Sequence, residues 1–226
     1  MNEPDEWTWE HRSGPAGTLH EPSPPNLPTR TVRQMRVEAA AIVLGSSQDE
    51  ADIDHSEAER RGIEVARRRS GGGAVLLVPG DHVWLDVWLP AGDPLWDDDV
   101  GRAADWLASV WISALDAVGV RSLAAHRGAL ITTEWSRHVC FAGLGPGEVT
   151  ARGRKLVGIS QRRTRDWARF QCLVHRRWDA DVSFGLLAMP GAVEACVDWA
   201  DRVATVGDSP IENAMALALA EATATA

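Results

Sequence analysis

The sequence predicts an α+β fold in which a mixed, largely antiparallel β-sheet is packed by helices. Short β-rich runs bounded by Gly, Pro or Asp follow one another along most of the chain. Two longer helical patterns interrupt these runs without a regular alternation of strand and helix, which disfavours a doubly wound parallel sheet. The chain has 226 residues, 45% of them hydrophobic and 24% charged, which is typical of a folded globular protein.

The N-terminal segment differs in composition from the rest. Residues 1–29 are rich in Pro, Gly and Ser, which predicts an extended or partly disordered arm. We expect residues 30–226 to form a single domain. Within it, the apolar run 39–44 predicts a buried strand, and Ser56 with Glu59 fits a capping box for a short helix that ends at Gly62.

The middle of the chain contains the clearest β and helical patterns. Residues 63–67 predict a strand that leads into three consecutive glycines, and the runs 74–78 and 83–89 predict a hairpin. Apolar residues spaced by three and four between positions 96 and 118 predict an amphipathic helix ended by Gly119. Ser209 and Pro210 predict the start of a last, alanine-rich helix.

Charge and cysteine content exclude several classes of protein. The net charge of -9 argues against general binding to nucleic acid. No run approaches the roughly 18 apolar residues that a membrane span needs, and the N-terminus is acidic where a secretory signal is basic, so we expect a cytoplasmic protein. The cysteines, Cys140, Cys172 and Cys196, lack metal-ligand spacing, which predicts free thiols and no protein-built metal site.

The sharpest motif is the sequence RRRSGGGAV at residues 67–75. Three glycines let the backbone approach a ligand closely and leave N–H groups free to bind a carboxylate or phosphate, and neighbouring arginines add charged donors for the same anion. The spacing matches neither a dinucleotide-binding fingerprint nor a P-loop. Taken alone, a glycine run is also typical of a simple hairpin or bulge.

A second motif, GRKLVGISQ at residues 153–161, contains Lys155, the only lysine of the chain. A lysine at the start of a β-rich run is a point charge that can bridge the carbonyl oxygen of an acid and a nucleotide phosphate. An exposed strand lysine without function is the alternative.

Together with VLGSSQ at residues 43–48, these motifs resemble the signature stretches of the lipoate-protein ligase A family within the biotin and lipoate ligase superfamily, in an actinobacterial-like short form. The resemblance covers roughly residues 36–182. It implies Lys155 as the catalytic lysine and a site for nucleotide and acyl adenylate made by Arg68, Ser70, Gly71, Gly72, Gly73, Ala74, Val75, Leu76 and Gly158. It also implies ATP with Mg²⁺, lipoate or octanoate as the acyl substrate, and a lipoyl-carrier protein as the acceptor.

The chain departs from that family around the acyl pocket. Residues 77–81 read LVPGD where the family carries His-Asp-x-Gly-Asn, and Phe170-Gln171-Cys172 stands where a His-Gly pair is usual. The chain also stops without the C-terminal domain of some ligases, so adenylation is expected to need a partner or to be lost. Trp84, Trp88, Trp111 and Trp167 could shape a pocket, but core packing is the simpler interpretation, and His82, His126, His138 and His175 are interpreted as structural or surface residues.

Two alternatives to ATP-dependent ligation follow. Cys140 precedes Lys155 in a way similar to the cysteine-dependent octanoyltransferases of the superfamily, where a cysteine carries the acyl group, and nearby cations would favour its thiolate. A buried free cysteine that packs as a small hydrophobic residue is the simpler interpretation. The second alternative is a non-catalytic module that binds an acyl nucleotide.

Overall fold

The computed structural model describes residues 7–26 and 28–224. Over these residues the strands are β1 (Thr8–Gly14), β2 (Thr31–Val37), β3 (Ala41–Leu44), β4 (Glu64–Arg67), β5 (Val75–Leu77), β6 (His82–Pro90), β7 (Leu123–Ala125), β8 (Val149–Ala151), β9 (Arg154–Arg163) and β10 (Trp167–His175). The helices are α1 (Ala16–His20), α2 (His55–Arg60), α3 (Asp105–Ala117), α4 (Ala180–Gly185), α5 (Ala192–Trp199) and α6 (Ile211–Ala224).

Two sheets form the framework. The larger has seven strands in the order β1-β2-β6-β10-β9-β8-β7, in which only the β1–β2 pair is parallel. The smaller has the order β4-β3-β5, with β3 parallel to β4 and antiparallel to β5. The predicted α+β class with a mixed, largely antiparallel sheet is therefore confirmed.

The apolar side chains separate into layers because neighbouring strand residues face opposite sides. Helices α3 and α6 cover one face of the larger sheet, with Trp111 and Leu115 fully buried against it. Val43 and Leu77 of the smaller sheet meet Trp84 between the two sheets. The alternate residues of the smaller sheet pack outward, in a cluster that includes Ile42, Leu44, Leu76, Phe184 and Trp199. The space between the sheets is where a ligand cavity can form.

The N-terminal segment corrects one prediction. Residues 8–20 are not disordered, because β1 pairs with β2 at the edge of the larger sheet and α1 follows it. Trp7 anchors this edge, its indole N–H donating to the carbonyl of Leu219 at 3.2 Å. The single catalytic domain over residues 30–226 remains a prediction.

Three local predictions also change. The hairpin of residues 74–89 is wrong: β6 is a central strand whose two edges are taken by β2 and β10, so β5 pairs with β3 in the other sheet. Helix α3 begins at Asp105 rather than near residue 96, because Asp97 and Asp99 side chains accept backbone N–H bonds that close turns instead. Helix α2 is capped by Asp54 and not by Ser56. Among the described residues, no helix is long and apolar enough to cross a membrane.

Candidate functional site

A cavity of about 730 Å³ lies between the two sheets. Its lining includes most of the residues that the two sequence motifs single out, together with the apolar side chains of Val75, Leu77, Trp84, Ile159 and Leu173. Predicted site residues on its wall are Arg68, Gly71, Gly72, Gly73, Val75, Cys140, Lys155 and Gly158. The cavity is therefore the candidate site.

Close backbone packing explains two of its glycines. A Cβ at Gly45 would lie 1.9 Å from the carbonyl oxygen of Gly72, and one at Gly73 would lie 2.5 Å from the amide nitrogen of Val139. Gly72 itself has a φ of 93°, a conformation that favours glycine. The glycine loop, residues 70–73, is thus wedged between the turn at residue 45 and the segment at residue 139.

Arg68 holds this loop from inside. Its guanidinium is 5% exposed and donates to the carbonyl oxygens of Val43 at 2.9 Å, Gly71 at 2.8 Å and Gly73 at 2.7 Å. Burial lowers the pKa of Arg68, but arginine stays protonated in proteins. No carboxylate pairs with Arg68 among the residues that the structure describes, so its positive charge stays uncompensated at the cavity wall.

The amides of the loop are available to a ligand. Arg68 binds the carbonyl of Gly71, so the N–H of the same peptide plane, on Gly72, points away from the guanidinium. The peptide plane of the Gly73 carbonyl carries the N–H of Ala74, which donates to the carbonyl of His138 at 2.8 Å. Within residues 7–26 and 28–224, no acceptor is found for the N–H groups of residues 71–73. Free N–H groups beside an uncompensated cation form a site for an anionic oxygen.

Lys155 borders the cavity because of a β-bulge. Val149 of β8 pairs with Val157, whereas the next residue, Thr150, pairs with Lys155, so Leu156 is an extra residue in β9. Such an insertion changes which face the following side chains occupy. It turns Lys155 away from the helix-covered core and places it on the same cavity wall as Gly158 and Ser160.

The ammonium group of Lys155 uses all three of its donors. It lies 2.7 Å from Glu148 and 3.0 Å from the carbonyl oxygens of Cys140 and Gly143. Both partners of the ion pair are almost fully buried. The Glu148 carboxylate also accepts the backbone N–H groups of Gly145 at 2.7 Å and Ile159 at 3.1 Å, which fixes its position.

Behind Lys155 lies an aromatic group. The ammonium is 5.0 Å from the ring centre of Phe141, and that ring packs on His175 at 4.4 Å. Burial lowers the pKa of His175 to about 3, so its imidazole is neutral at physiological pH. The ammonium therefore has the Phe141 ring as a neighbour in addition to Glu148 and the two carbonyls.

Cys140 and Cys172 differ in their exposure. Cys140 is half-buried on the cavity wall, next to the carbonyl that binds Lys155. Cys172 also borders the cavity, but burial raises the pKa of its thiol to about 12, so it is not a thiolate at neutral pH. Cys140 is the better placed nucleophile of the two.

Three of the predicted site residues do not line the cavity. Leu76 points to the outer face of the smaller sheet, because side chains alternate along β5. Ala74 acts through its backbone, accepting the N–H of Cys140 at 2.8 Å. Ser70 lies just behind the wall, where its hydroxyl accepts a hydrogen bond from Ser160 at 3.1 Å.

Sequence reasoning missed several residues of the cavity. Glu148 is seven positions before Lys155 in the sequence. It reaches Lys155 because the chain turns back at Arg152 and Gly153, which have φ values of 51° and 74°. His138 was interpreted as structural, yet it borders the cavity and its Nδ1 lies 3.3 Å from Asp52. Of the four tryptophans considered for the pocket, Trp84 alone lines it, and Trp111 is core. The Arg152-Gly153 pair is not one of the dipeptides typical of a two-residue hairpin, so no local signal indicated this turn.

Comparison with known proteins identifies a family and a shared fold. The family model for the lipoyl protein ligase A/B catalytic domain matches residues 18–197. No curated protein matches the chain.

Solved structures share the fold at low identity. A bi-partite lipoate protein ligase of an archaeal lipoylation system, from Thermoplasma acidophilum, has a TM-score of 0.73 and 17% identity, covering 96% of this chain and 83% of that one. A T. acidophilum protein described as a lipoate protein ligase, with bound lipoic acid, has a TM-score of 0.65 and 16% identity. Lipoate-protein ligase A bound with ATP has a TM-score of 0.64 and 19% identity. Each of the latter two covers 86% of this chain, which spans 72% of theirs.

Proposed function

We propose that this chain, which belongs to the lipoyl protein ligase A/B catalytic-domain family, activates lipoate or a related medium-chain acid with ATP and transfers it to a carrier-protein lysine. One observation carries the proposal: a single cavity brings the free amides of the glycine loop and the uncompensated charge of Arg68 together with Lys155. The apolar walls at Val75, Leu77 and Leu173 suit the hydrocarbon part of such an acid.

The chemistry requires stabilisation of negative charge at two places. The carboxylate of the acid attacks the α-phosphate of ATP, and pyrophosphate leaves. The amine of the acceptor lysine then attacks the acyl carbon of the mixed anhydride, which forms an amide and releases AMP and a proton. Charge develops first on phosphate oxygens and later on the carbonyl oxygen. Donors held in position before the reaction stabilise both, and removing one such donor commonly slows a reaction by about 10²–10³-fold.

Lys155 is suited to follow this shift of charge. In the free protein its three donors are shared between one carboxylate and two carbonyls, and an incoming anionic oxygen can replace a carbonyl while Glu148 keeps the ammonium in place. Arg68 contributes differently, because its donors are committed to the loop. It supports the anion through its charge and through the shape of residues 70–73.

Magnesium would enter with the nucleotide. Asp49, Asp52 and Glu148 are the acidic side chains that border the cavity. The described residues include no cluster of three or more His, Cys, Asp or Glu side chains able to hold a metal ion. The ion would accordingly be held mainly by phosphate oxygens and water, with Asp49 or Asp52 as the nearest protein carboxylates.

Cys140 favours a second candidate, an acyltransferase. Its half-buried side chain lies on the cavity wall near both cations, and such a thiol could accept an octanoyl group from a thioester donor before passing it on. In that case ATP is not consumed, and a thioester at Cys140 forms during turnover.

A transfer assay separates these reactions. The protein is incubated with lipoate or octanoate and an apo lipoyl-carrier domain, with and without Mg-ATP, and the mass of the carrier is measured. Ligation predicts acylation that requires ATP, survives Cys140→Ala and is lost in Lys155→Ala. Acylation from octanoyl carrier protein without ATP, abolished by Cys140→Ala, would instead establish the acyltransferase. Binding of an acyl adenylate without any turnover would indicate a binding module.

A further inference from the structure

The mouth of the cavity has two rims of different character. Exposed residues on the cavity wall mark this mouth; they are Ser47, Asp49, Gly71, Gly72, Leu130, Thr132 and Arg137. One rim, residues 46–52, is polar and acidic, and it adjoins the glycine loop because the N–H of Ser46 donates to the carbonyl of Ser70 at 2.9 Å. The other rim, residues 127–137, is called the mouth loop below. Because an acceptor lysine belongs to a folded carrier domain, that domain must contact this mouth when the lysine enters.

Two large apolar side chains are exposed at the tip of the mouth loop. Leu130 is 62% exposed and Ile131 is 52% exposed, and Leu130 also forms part of the cavity wall. Exposed apolar side chains that adjoin one another and are surrounded by polar groups are typical of a surface that binds a partner. Val197 of α5 is just as exposed but is not part of the cavity wall. The mouth loop therefore combines exposed apolar surface with access to the site.

The tip is held in one conformation although it is exposed. The backbone of Ile131 exchanges two hydrogen bonds with Leu144, at 2.8 and 2.9 Å. The hydroxyl groups of Thr133 and Ser136 both donate to the carbonyl of Ala142 at 2.9 Å. A surface that is already ordered loses little conformational entropy when a partner binds. The apolar tip is thus preorganised for a contact.

Positive charges flank this tip. Arg127 and Arg137 are exposed, and neither forms an ion pair with a residue that the structure describes. Glu134 is the only acidic residue of the mouth loop, whereas the whole chain has a net charge of -9. An acidic partner is therefore repelled by the chain in general and by Asp49 and Glu50 on the other rim, and it is attracted by the mouth loop.

We propose that the mouth loop is the docking surface for the carrier domain, and that this domain is acidic around its acceptor lysine. An apolar side chain of the carrier packs on Leu130 and Ile131, and its carboxylates face Arg127 and Arg137, an arrangement of apolar centre and polar rim that is usual in protein interfaces. The identity of the partner rests on the proposed function. The small apolar area suits a protein substrate that leaves after each turnover.

The main test places a charge in the apolar tip. Transfer to an apo lipoyl-carrier domain of net negative charge is measured with the full chain, Mg-ATP and octanoate, at varied carrier concentration. Ile131→Asp should raise the KM for the carrier by at least about tenfold, because it removes a central apolar contact. Acid-dependent exchange of pyrophosphate into ATP, which does not involve the carrier, should be unchanged. Val197→Asp on α5 is the matched control and should change neither quantity.

Charge reversal tests the polar part of the contact. Arg127→Glu should lower kcat/KM for the carrier by about threefold or more at low salt, and the difference from the parent should shrink as salt screens it. Replacing one acidic residue beside the acceptor lysine of the carrier by Arg should partly restore the rate of this variant. Arg165→Glu, at the exposed turn between β9 and β10, is the matched control and should have little effect.

Several results would overturn the proposal. A carrier KM that is unchanged in both Ile131→Asp and Arg127→Glu would show that the carrier binds elsewhere. An equal rise in Val197→Asp would show a general effect of added negative charge. A parallel loss of pyrophosphate exchange in Ile131→Asp would mean that the loop serves activation and not docking.

Failure of the docking surface is distinguishable from failure of the proposed function. If the chain activates no acid, binding of the acidic carrier to the full chain is measured by calorimetry. Binding that Ile131→Asp weakens and Val197→Asp does not would support the surface while ligation is removed. Efficient ligation with an unchanged carrier KM in both mouth-loop variants would do the reverse.

Discussion

The two walls of the cavity hold their buried cations in opposite ways. On the glycine-loop wall, Arg68 is bound only to main-chain carbonyls, and its charge has no carboxylate partner among the described residues. On the β9 wall, Lys155 forms a buried ion pair with Glu148. Arg68 therefore fixes the shape of the loop, and its unpaired charge attracts an anionic ligand. The charge of Lys155 is neutralised by Glu148, and its hydrogen bonds to carbonyls can be exchanged for bonds to a ligand.

The largest expected effect is on the β9 wall. We predict that Lys155→Met lowers ATP-dependent acylation of a carrier by at least about 10²-fold, because it removes the donor nearest the reacting oxygens. It should also lower the free energy of unfolding by about 3–5 kcal/mol, since Glu148 is left as an unpaired buried charge. Urea denaturation and a transfer assay measure the two effects.

The double variant Lys155→Met with Glu148→Gln is the control for stability. It removes both charges and should recover much of the lost stability without recovering activity. Recovery of both would mean that Lys155 acts only through the fold, which would contradict the account.

On the loop wall, Arg68→Lys should be destabilising although it keeps the charge. Lysine cannot bridge the three carbonyls that the planar guanidinium bridges, and each hydrogen bond of a charged donor contributes about 1.5–3 kcal/mol. We expect a loss of about 3 kcal/mol in urea denaturation. Arg69→Lys, at an exposed ion pair with Glu21, is the matched control and should change stability by less than about 1 kcal/mol. An unchanged Arg68→Lys protein would show that the loop does not depend on these bonds.

Two glycine substitutions separate the shape of the loop from its contact with ligand. Gly45→Ala should lower the free energy of unfolding by about 1–3 kcal/mol, because its Cβ would overlap the carbonyl of Gly72. Gly71→Ala meets nothing within 4 Å and should stay within about 0.5 kcal/mol of the parent. Its effect should be confined to nucleotide binding, measured by calorimetry. Equal destabilisation by both would contradict the packing described.

A further expected effect is a dependence of stability on pH. The folded-state pKa of His20 is lowered to about 3 by burial and by Arg68 and Arg169, while the unfolded value is about 6.5. Between these values the unfolded chain binds more protons, so the stabilisation is present above pH 6.5 and is lost as the pH falls towards 3. His82 and His175, with pKa values lowered to about 4 and 3, act alike.

Unfolding measured at pH 7, 6 and 5 checks this. Each such histidine should contribute a slope of up to about 1.4 kcal/mol per pH unit below 6.5. His20→Phe should therefore be less sensitive to acid than the parent. An identical pH dependence in the two proteins would show that His20 is already protonated in the folded state.

The sequence was informative where a residue type alone determines the structure. The glycines at 71–73 predicted a loop that lets the backbone approach a ligand closely. The only lysine, Lys155, predicted a second group of the same site. The partners of these residues depend on pairings between distant strands, which short-range patterns do not encode. Glu148 reaches Lys155 only through the turn of the β8–β9 hairpin and the bulge at Leu156.

The N-terminal segment illustrates the same limit. Its proline-rich composition predicted disorder, but the segment forms a strand and a helix. The strand β1 pairs with β2, and Arg169 donates hydrogen bonds to the end of helix α1. His20, at the end of that helix, could not be connected with the cavity from local pattern alone. Long-range hydrogen bonds from Arg169 therefore help to place His20 at the cavity.

Acid-dependent exchange of pyrophosphate into ATP tests the central claim most directly, because it isolates activation from transfer. The account predicts exchange that requires a medium-chain acid and is lost in the Lys155→Met, Glu148→Gln double variant, which should still fold. Undiminished exchange in that variant, or no exchange with any acid while the carrier is acylated through Cys140, would contradict it.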